Sequence, residues 1–158
     1  MLNCTYRERI NTRKKIRLIL KWGFIVIFVL FLLIQFIPID KNNPPVESEI
    51  PATAEVRSIL KRSCYDCHSN ETIWPWYSRV APISWLVIYD VKEGRKELNF
   101  STWNKYTSSK QAKKLKEVWE EVEEGEMPLW IYLPTHPNAK LSSEDRKVLQ
   151  AWSQSAIS

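Results

Sequence analysis

A nearly unbroken apolar run at residues 18–37 leaves this chain few ways to fold. The run, LILKWGFIVIFVLFLLIQFI, holds one charge, Lys21, near its start and one amide, Gln35, near its end. A helix of this length covers roughly 30 Å, the thickness of a bilayer's hydrocarbon core. A buried core helix or a cleaved signal peptide is also apolar, but this run is apolar on every face and no small-residue cleavage site follows it. The run predicts an uncleaved, single-pass transmembrane anchor.

The positive charges are concentrated before this run. The chain carries 23 Lys and Arg residues against 18 Asp and Glu residues, but seven of the cations and only one acid precede Trp22. The high pI therefore comes from the segment before Trp22, which contains the basic tail, residues 1–17. It gives no support to a nucleic-acid-binding domain. By the positive-inside rule the tail stays in the cytoplasm, so the C-terminal part is expected in the periplasm, outside a bacterial inner membrane.

Two further segments follow the anchor. Residues 38–51 hold four of the nine prolines without apolar periodicity, and they predict an extended, Pro-rich linker. Residues 52–158 remain as one small domain. Apolar residues recur there at helical spacing in four stretches and no alternating pattern indicates a strand, so the domain is predicted to be all-α. The four stripes are Val56, Ile59, Leu60, Cys64 and Cys67; Ile83, Leu86, Val87, Val91 and Gly94; Ala112, Leu115, Val118, Trp119 and Val122; and Leu141, Val148, Leu149 and Trp152.

Local signals mark the ends of these helices. Pro82 occupies a first-turn position, and Gly125 directly follows the third stripe. Ser142 and Asp145 form a capping-box pattern before the fourth stripe. The third helix carries its lysines first and its glutamates last, against the helix dipole. This pattern fits a solvated face, or else an acidic docking patch for a basic redox partner.

Cys64, Cys67 and His68 form the pattern Cys-x-x-Cys-His, which is typical of covalent c-type haem attachment. Positions i, i+3 and i+4 of a helical turn share one face. Two thiols can therefore bond to the vinyl groups on one haem edge while the imidazole reaches the iron. Covalent attachment would also help to stabilise so small a domain. The motif predicts one haem c, with Cys64 and Cys67 as thioether sites and His68 as the proximal iron ligand.

Other uses of the motif remain open. A structural disulfide would not need the histidine and would close only a very short loop. A thioredoxin-like site needs a βαβ context that the sequence lacks. A zinc site could add His136, the only other histidine, although adjacent Cys67 and His68 fit one tetrahedron poorly. The third cysteine, Cys4, lies in the tail without a nearby partner.

The occupant of the sixth iron position separates electron transfer from ligand or peroxide chemistry. Met127 is the only methionine beyond the anchor, since Met1 lies on the other side of it. It follows the third helix in a loop stiffened by Pro128, and it is the predicted distal ligand. His136 is the alternative distal ligand.

Residues near the motif are predicted to line the haem pocket. Trp74, Trp76 and Tyr77 have flat side chains with one polar group, which suit the wall of a porphyrin pocket. Arg79 could pair with a haem propionate. The carbonyl of Pro82 could accept a hydrogen bond from the proximal histidine and fix the tautomer that binds iron.

Many of these residues carry a family resemblance. They are Gln35-Phe36-Ile37-Pro38, Asn43-Pro44, CYDCHSNET and WPWYS between 64 and 78, Ala81-Pro82-x-Ser84-Trp85, Gly94-Arg95, Leu98-Asn99-Phe100-Ser101-x-Trp103, Met127-Pro128, Tyr132, His136, Ala139, Leu141-Ser142 and Trp152. With them the chain resembles the haem-binding domain family, small anchored cytochrome-like proteins typical of Bacteroidetes. The resemblance covers most of the chain. It implies c-type haem binding and no particular substrate.

The sequence therefore predicts a cytochrome c-like helical domain around one covalent haem, anchored in the membrane and facing the periplasm. The predicted role is electron transfer with an unidentified redox partner protein, as a carrier rather than an enzyme. The alternative is a haem-based sensor or peroxidase-like enzyme with an exchangeable sixth ligand. A zinc-stabilised interaction module is the third reading.

Overall fold

The computed structural model describes the backbone of residues 2–155 and the side chains of residues 12–155. The thiol of Cys4 and residues 156–158 of the predicted domain therefore lie outside the described part of the chain. The predicted all-α class is confirmed, with 64% of the chain in helices. Between residues 2 and 155 no strand occurs, only an isolated bridge between Ser48 and Thr102. The helices are α1 Leu2–Ile34, α2 Ala54–Ser63, α3 Tyr65–His68, α4 Ile83–Glu97, α5 Ser108–Glu124 and α6 Ser143–Ser155, with short 3-10 turns at Trp76–Arg79, Trp103–Lys105 and Pro137–Ala139.

Helix α1 contains the predicted anchor. Its stretch Thr12–Ile34 is long and apolar enough to cross a membrane, and none of its apolar window is buried against the rest of the chain. The helix ends at Ile34, three residues before the predicted end of the span, ahead of a proline that could not continue it. The amide of Gln35 instead binds the backbone of Ala81: its Nε2 donates to the carbonyl at 3.1 Å, and its Oε1 accepts from the N–H at 3.0 Å. The end of the anchor is therefore joined to the segment that begins α4.

The linker is extended, but it packs on the domain. Ile50 is 1% exposed and belongs to the core. The backbone N–H groups of Glu47 and Ser48 both donate to the carbonyl of Ser101, at 2.9 and 3.1 Å. The end of the linker therefore packs on the domain, because Ile50 gains apolar burial there that a free tether would lack.

One apolar core lies among α2, α5, α6 and the loop after α4. Its buried members are Ile50, Val56, Ile59, Leu60, Tyr65, Leu98, Phe100, Trp103, Leu115, Val122, Leu141, Leu149 and Trp152. Most apolar positions predicted for α2, α5 and α6 are therefore in the core or partly buried against it.

Helix α4 departs from its predicted stripe. The predicted Val91 is buried, as is Ile88, which was not predicted, whereas the predicted Ile83 and Leu86 are 48% and 58% exposed. The helix approaches α3 closely at Gly94, and the face that turns inward carries Ser84, Ile88 and Val91. Part of the predicted apolar face consequently points to solvent.

The predicted helix ends are largely confirmed. Gly125 ends α5 with φ 82°, in the left-handed region that glycine adopts readily. The Ser142 N–H donates to Asp145 Oδ2 at 2.8 Å, and the Asp145 N–H donates to Ser142 Oγ at 3.1 Å, which forms the capping box before α6. Pro82 stands one residue before α4 as its cap, and not inside the first turn as predicted.

Candidate functional site

One turn of helix brings the motif residues together. Helix α2 ends at Ser63, and Cys64, with φ −130° and ψ −33°, links it to α3. The N–H groups of Cys67 and His68 donate to the Cys64 carbonyl at 3.2 and 2.9 Å. The two thiols and the imidazole therefore occupy adjacent positions of a single turn, and both thiols are free.

These three residues line a cavity of about 630 Å³ between α3, α4, α5 and the loop that follows α5. That volume lies within the range of cofactor and small-molecule sites. Apolar side chains form much of the wall. They are Leu98, Phe100, Val118, Val122, Met127 and Leu129.

The ring of His68 is held in one tautomer. Its Nδ1 lies 2.9 Å from the carbonyl oxygen of Gly94 and 3.2 Å from that of Leu98. Because carbonyl oxygens only accept, Nδ1 carries the proton and Nε2 keeps a lone pair for a metal. The prediction that Pro82 supplies this acceptor is wrong, since the Pro82 carbonyl accepts from the N–H of Trp85 at 3.0 Å, in the first turn of α4.

Burial sets the charge of the motif side chains. It raises the pKa of the Cys64 thiol to about 12, and the neighbouring Cys67 adds to the rise. It also raises the pKa of Cys67 to about 12, with Asp66 and Asp90 adding to the rise. Burial lowers the pKa of the His68 imidazole, and the hydrogen bonds to the carbonyls of Leu98 and Gly94 oppose this shift without cancelling it. At neutral pH the thiols are therefore protonated and the imidazole is neutral, the form that ligates metals.

Helix α4 reaches the motif because Gly94 has no side chain. A Cβ placed on Gly94 would lie 2.7 Å from the carbonyl oxygen and 3.0 Å from the Cβ of Cys67. Neither atom is the far end of a flexible side chain, so the backbone itself would have to move. The same close approach brings the Gly94 carbonyl to the ring of His68.

We expect Gly94→Ala to destabilise the domain by about 1–3 kcal/mol through this overlap, although alanine otherwise favours a helix interior by about 1 kcal/mol. Denaturant titration of the detergent-solubilised protein, followed by tryptophan fluorescence, measures the change. Lys92→Ala, at an exposed position of the same helix, should change the free energy of unfolding by less than about 0.5 kcal/mol. A Gly94→Ala variant more stable than the wild type would contradict the close contact.

The end of α5 brings Met127 to the same cavity. After the left-handed Gly125, the N–H of Met127 donates to the carbonyl of Glu121 at 3.1 Å, which folds the loop back on the last turn of α5. Met127 is half-buried and lines the cavity together with Pro128 and Leu129. Met127 is therefore one of the residues that line the cavity, together with Cys64, Cys67 and His68.

His136 lies apart from this cavity and is not among its lining residues. Its ring stacks on that of Tyr132, with the centroids 3.9 Å apart, and its Nδ1 lies 3.1 Å from Thr135 Oγ1. Tyr132 does line the cavity, and its hydroxyl donates to Asp66 Oδ2 at 2.6 Å. The arrangement therefore favours Met127 over His136 as a ligand to a metal bound at His68.

The other predicted pocket residues do not reach this cavity. Trp74, Trp76, Tyr77 and Arg79 all lie outside its lining, as Pro82 does. Trp76 is 78% exposed. Trp76, Tyr77 and Arg79 lie outside the lining because their 3-10 turn leads into the start of α4. The cavity borders the later turns of that helix. The lining of this cavity therefore does not support the predicted contacts of these residues with a haem.

Lysines of α5 border the cavity instead. Lys113 and Lys114 are the only cations among the described residues that line it. The Nζ of Lys114 lies 2.7 Å from Glu117 and 4.0 Å from Glu97, and its side chain is only 14% exposed. Within α5, Lys113 and Lys114 pair with Glu117 and Lys116 pairs with Glu120, so part of the charge pattern forms ion pairs along the helix.

Arg95 organises the chain around the motif, and the sequence did not single it out as a site residue. Its guanidinium donates to the carbonyls of Ser69 and Asn42, both at 2.7 Å, and to Asn43 Oδ1 and Thr72 Oγ1, both at 2.8 Å. One side chain therefore ties α4 to the loop after the motif and to the linker. The signal in the sequence was the neighbouring Gly94, because a glycine inside a helix often marks a place where another segment packs closely against that helix.

Comparison with known proteins assigns this arrangement to a family. The family model described as a haem-binding domain matches residues 29–155, which include the end of α1, the linker and every residue that lines the cavity. No curated protein and no solved structure matches the chain. The match spans far more than half of the sequence. The chain therefore belongs to the haem-binding domain family.

Proposed function

We propose that this haem-binding protein is a membrane-anchored c-type cytochrome that carries one covalent haem and transfers electrons on the periplasmic side of a bacterial inner membrane. The observation that best supports the proposal is the shared cavity, into which two thiols, an imidazole and a thioether open. Histidine and methionine are the iron ligands of electron-transfer cytochromes c, and His68 and Met127 both line this cavity.

The residues of the cavity fit a haem. The apolar wall suits the faces of a porphyrin, and Lys113 and Lys114, which also pair with Glu117, are the lining residues whose positive charge suits its propionates. Within the part of the chain that the structure describes, the buried hydroxyl of Ser63 has no hydrogen-bond partner, and Ser63 lines the same cavity. The lining therefore combines an apolar wall with a charged border, which includes the carboxylates of Asp66, Asp90, Glu93, Glu97, Glu117 and Glu121.

Each residue of the motif has a distinct role in the proposal. Cys64 and Cys67 hold the group through two thioether bonds, each formed by adding S–H across a vinyl double bond. His68 binds iron through Nε2, in the orientation fixed by the carbonyls of Gly94 and Leu98. Met127 would supply a thioether as the second iron ligand, and such a ligand would raise the reduction potential and leave no site for exogenous ligands. When bound, the haem supplies reversible one-electron exchange.

The proposed topology is tested by labelling lysines in intact spheroplasts with a membrane-impermeant amine reagent. We expect Lys147, whose side chain is 73% exposed, to be labelled, because the positive-inside rule places the domain outside. Lys14 and Lys15, which precede the span, should react only after lysis. Labelling of the tail lysines in intact spheroplasts, with protection of Lys147, would reverse the orientation.

A further inference from the structure

Helix α4 carries an apolar face that the core does not use. Ile83, Trp85, Leu86 and Tyr89 are 48%, 38%, 58% and 63% exposed, while the other side of the helix packs inside the domain. A surface helix ordinarily shows polar residues on its solvent side. A contiguous group of large exposed apolar side chains marks an interaction surface.

We call the exposed residues Ile83, Trp85, Leu86 and Tyr89 the outer face of α4. This outer face begins close to the end of the proposed anchor. The Gln35 amide holds the backbone of Ala81 through two hydrogen bonds, at 3.1 and 3.0 Å, and Ala81 lies two residues before Ile83. Ile34 is the last residue of the helix that can cross a membrane. If that helix spans the bilayer, Ala81 and the first turn of α4 are held at the membrane surface.

The residues of the outer face have the composition of an interfacial helix. Leu86, Tyr89, Lys92 and Lys96 follow one another at spacings of three or four, so they share one side of α4. Both lysines are exposed, and Lys96 also pairs with Glu93 on the same helix, at 3.1 Å. Aromatic side chains are enriched at the headgroup level of membranes, and lysines there attract anionic lipids.

The length of the face indicates how α4 lies. Ile83 and Tyr89 are separated by roughly 9 Å along the helix axis, and one interfacial layer of a bilayer is about 5–7 Å deep. An upright helix would bring only its first residues into contact with lipid. A helix lying along the surface brings all four apolar residues into contact, which matches the extent of the exposed face.

We propose that the outer face of α4 lies flat in the membrane interface, with Lys92 and Lys96 directed to anionic headgroups. This inference rests on the proposed membrane anchor. Arg79, exposed and two residues before Ala81, adds a cation at the same level. Since Gly94, near the other end of α4, lines the cavity, a docked α4 holds the haem site at a fixed distance from the bilayer.

The test uses the full-length protein in vesicles of phosphatidylcholine and phosphatidylglycerol that contain a lipid with a photoreactive diazirine near its headgroup. After irradiation, peptide mass spectrometry locates the lipid adducts. We expect adducts within α1 and within residues 83–89, and none within α6. Adducts on α1 show that the anchor contacts lipid, whether or not the outer face of α4 does so.

A matched pair of variants makes the test specific. Leu86→Glu combined with Tyr89→Glu should reduce the α4 adducts at least about tenfold, because two carboxylates in the interface cost more than one tenfold step in binding. The α1 adducts should persist, and circular dichroism should show unchanged helicity, since both side chains are more than half exposed. Lys147→Glu, an exposed charge reversal on α6, should leave both sets of adducts unchanged.

The outcomes separate the two proposals. Adducts on α1 without adducts on α4 in the wild type would overturn the docking of α4 and leave the anchor intact. Adducts on α4 that survive the double glutamate variant would also overturn it. Absence of adducts from both helices would overturn the anchor, and the docking of α4 with it.

Discussion

Replacement of both Cys64 and Cys67 by alanine is expected to abolish covalent haem completely. The two thiols lie one turn apart on the wall of a single cavity, so each can form one thioether bond with the same porphyrin edge. Haem peroxidase staining after denaturing electrophoresis measures covalent haem, in a host that supplies the c-type maturation machinery. The wild type should stain, the double variant should not, and each single variant should stain weakly through its remaining thiol.

Cys4→Ala is the matched control for this series. Cys4 precedes the anchor, on the opposite side of the proposed membrane span from the motif. Its replacement should leave the haem stain at the wild-type level. Staining that persists in the Cys64→Ala, Cys67→Ala double variant would show that another residue makes the covalent bond, or that the stain reports something other than this cavity.

Met127→Ala is expected to open the sixth iron position. Met127 is the only methionine among the residues that line the cavity. If the two cysteines are bonded to haem, its removal leaves no other sulfur donor in the lining. The reduction potential should fall, because a methionine ligand raises it and axial ligands set potentials across about 0.8 V. The far-red charge-transfer band of the oxidised protein should disappear, and the ferrous form should bind carbon monoxide readily. Optical spectroscopy and redox titration measure all three effects.

Two control variants distinguish loss of a ligand from other causes. Leu129→Ala enlarges the same cavity without removing a metal donor, so it should keep the far-red band. His136→Ala should also keep it, because that ring stacks on Tyr132 outside the cavity lining. If His136→Ala opens the site and Met127→Ala does not, the iron is ligated by two histidines. If wild-type ferrous protein already binds carbon monoxide tightly, the haem-based sensor or peroxidase-like role becomes the better hypothesis.

The sequence predicted those features that depend on neighbouring residues. The helix end at Gly125 and the capping box of Ser142 and Asp145 are local, because their hydrogen bonds join residues within one turn. The single turn that carries the motif is local for the same reason. Met127 was predictable as a candidate ligand because the chain offers almost no other sulfur donor outside the motif.

Contacts between distant segments were not predictable in the same way. The acceptors for His68 are 26 and 30 residues away, at Gly94 and Leu98, and nothing in the spacing of the motif points to them. The burial of Ile50 depends on the core that the linker happens to meet. The exposure of Leu86 was not predictable either, because the apolar periodicity of α4 does not reveal that the helix approaches α3 at Gly94.

The mass of the intact, purified protein under denaturing conditions tests the central claim most directly. The polypeptide has a mass of 18.7 kDa. We expect the wild type to retain the mass of one haem in addition, because both thioether bonds survive denaturation. A spectrum that shows only the 18.7 kDa polypeptide, from protein matured in a host that attaches haem to other c-type cytochromes, would contradict covalent attachment at Cys64 and Cys67.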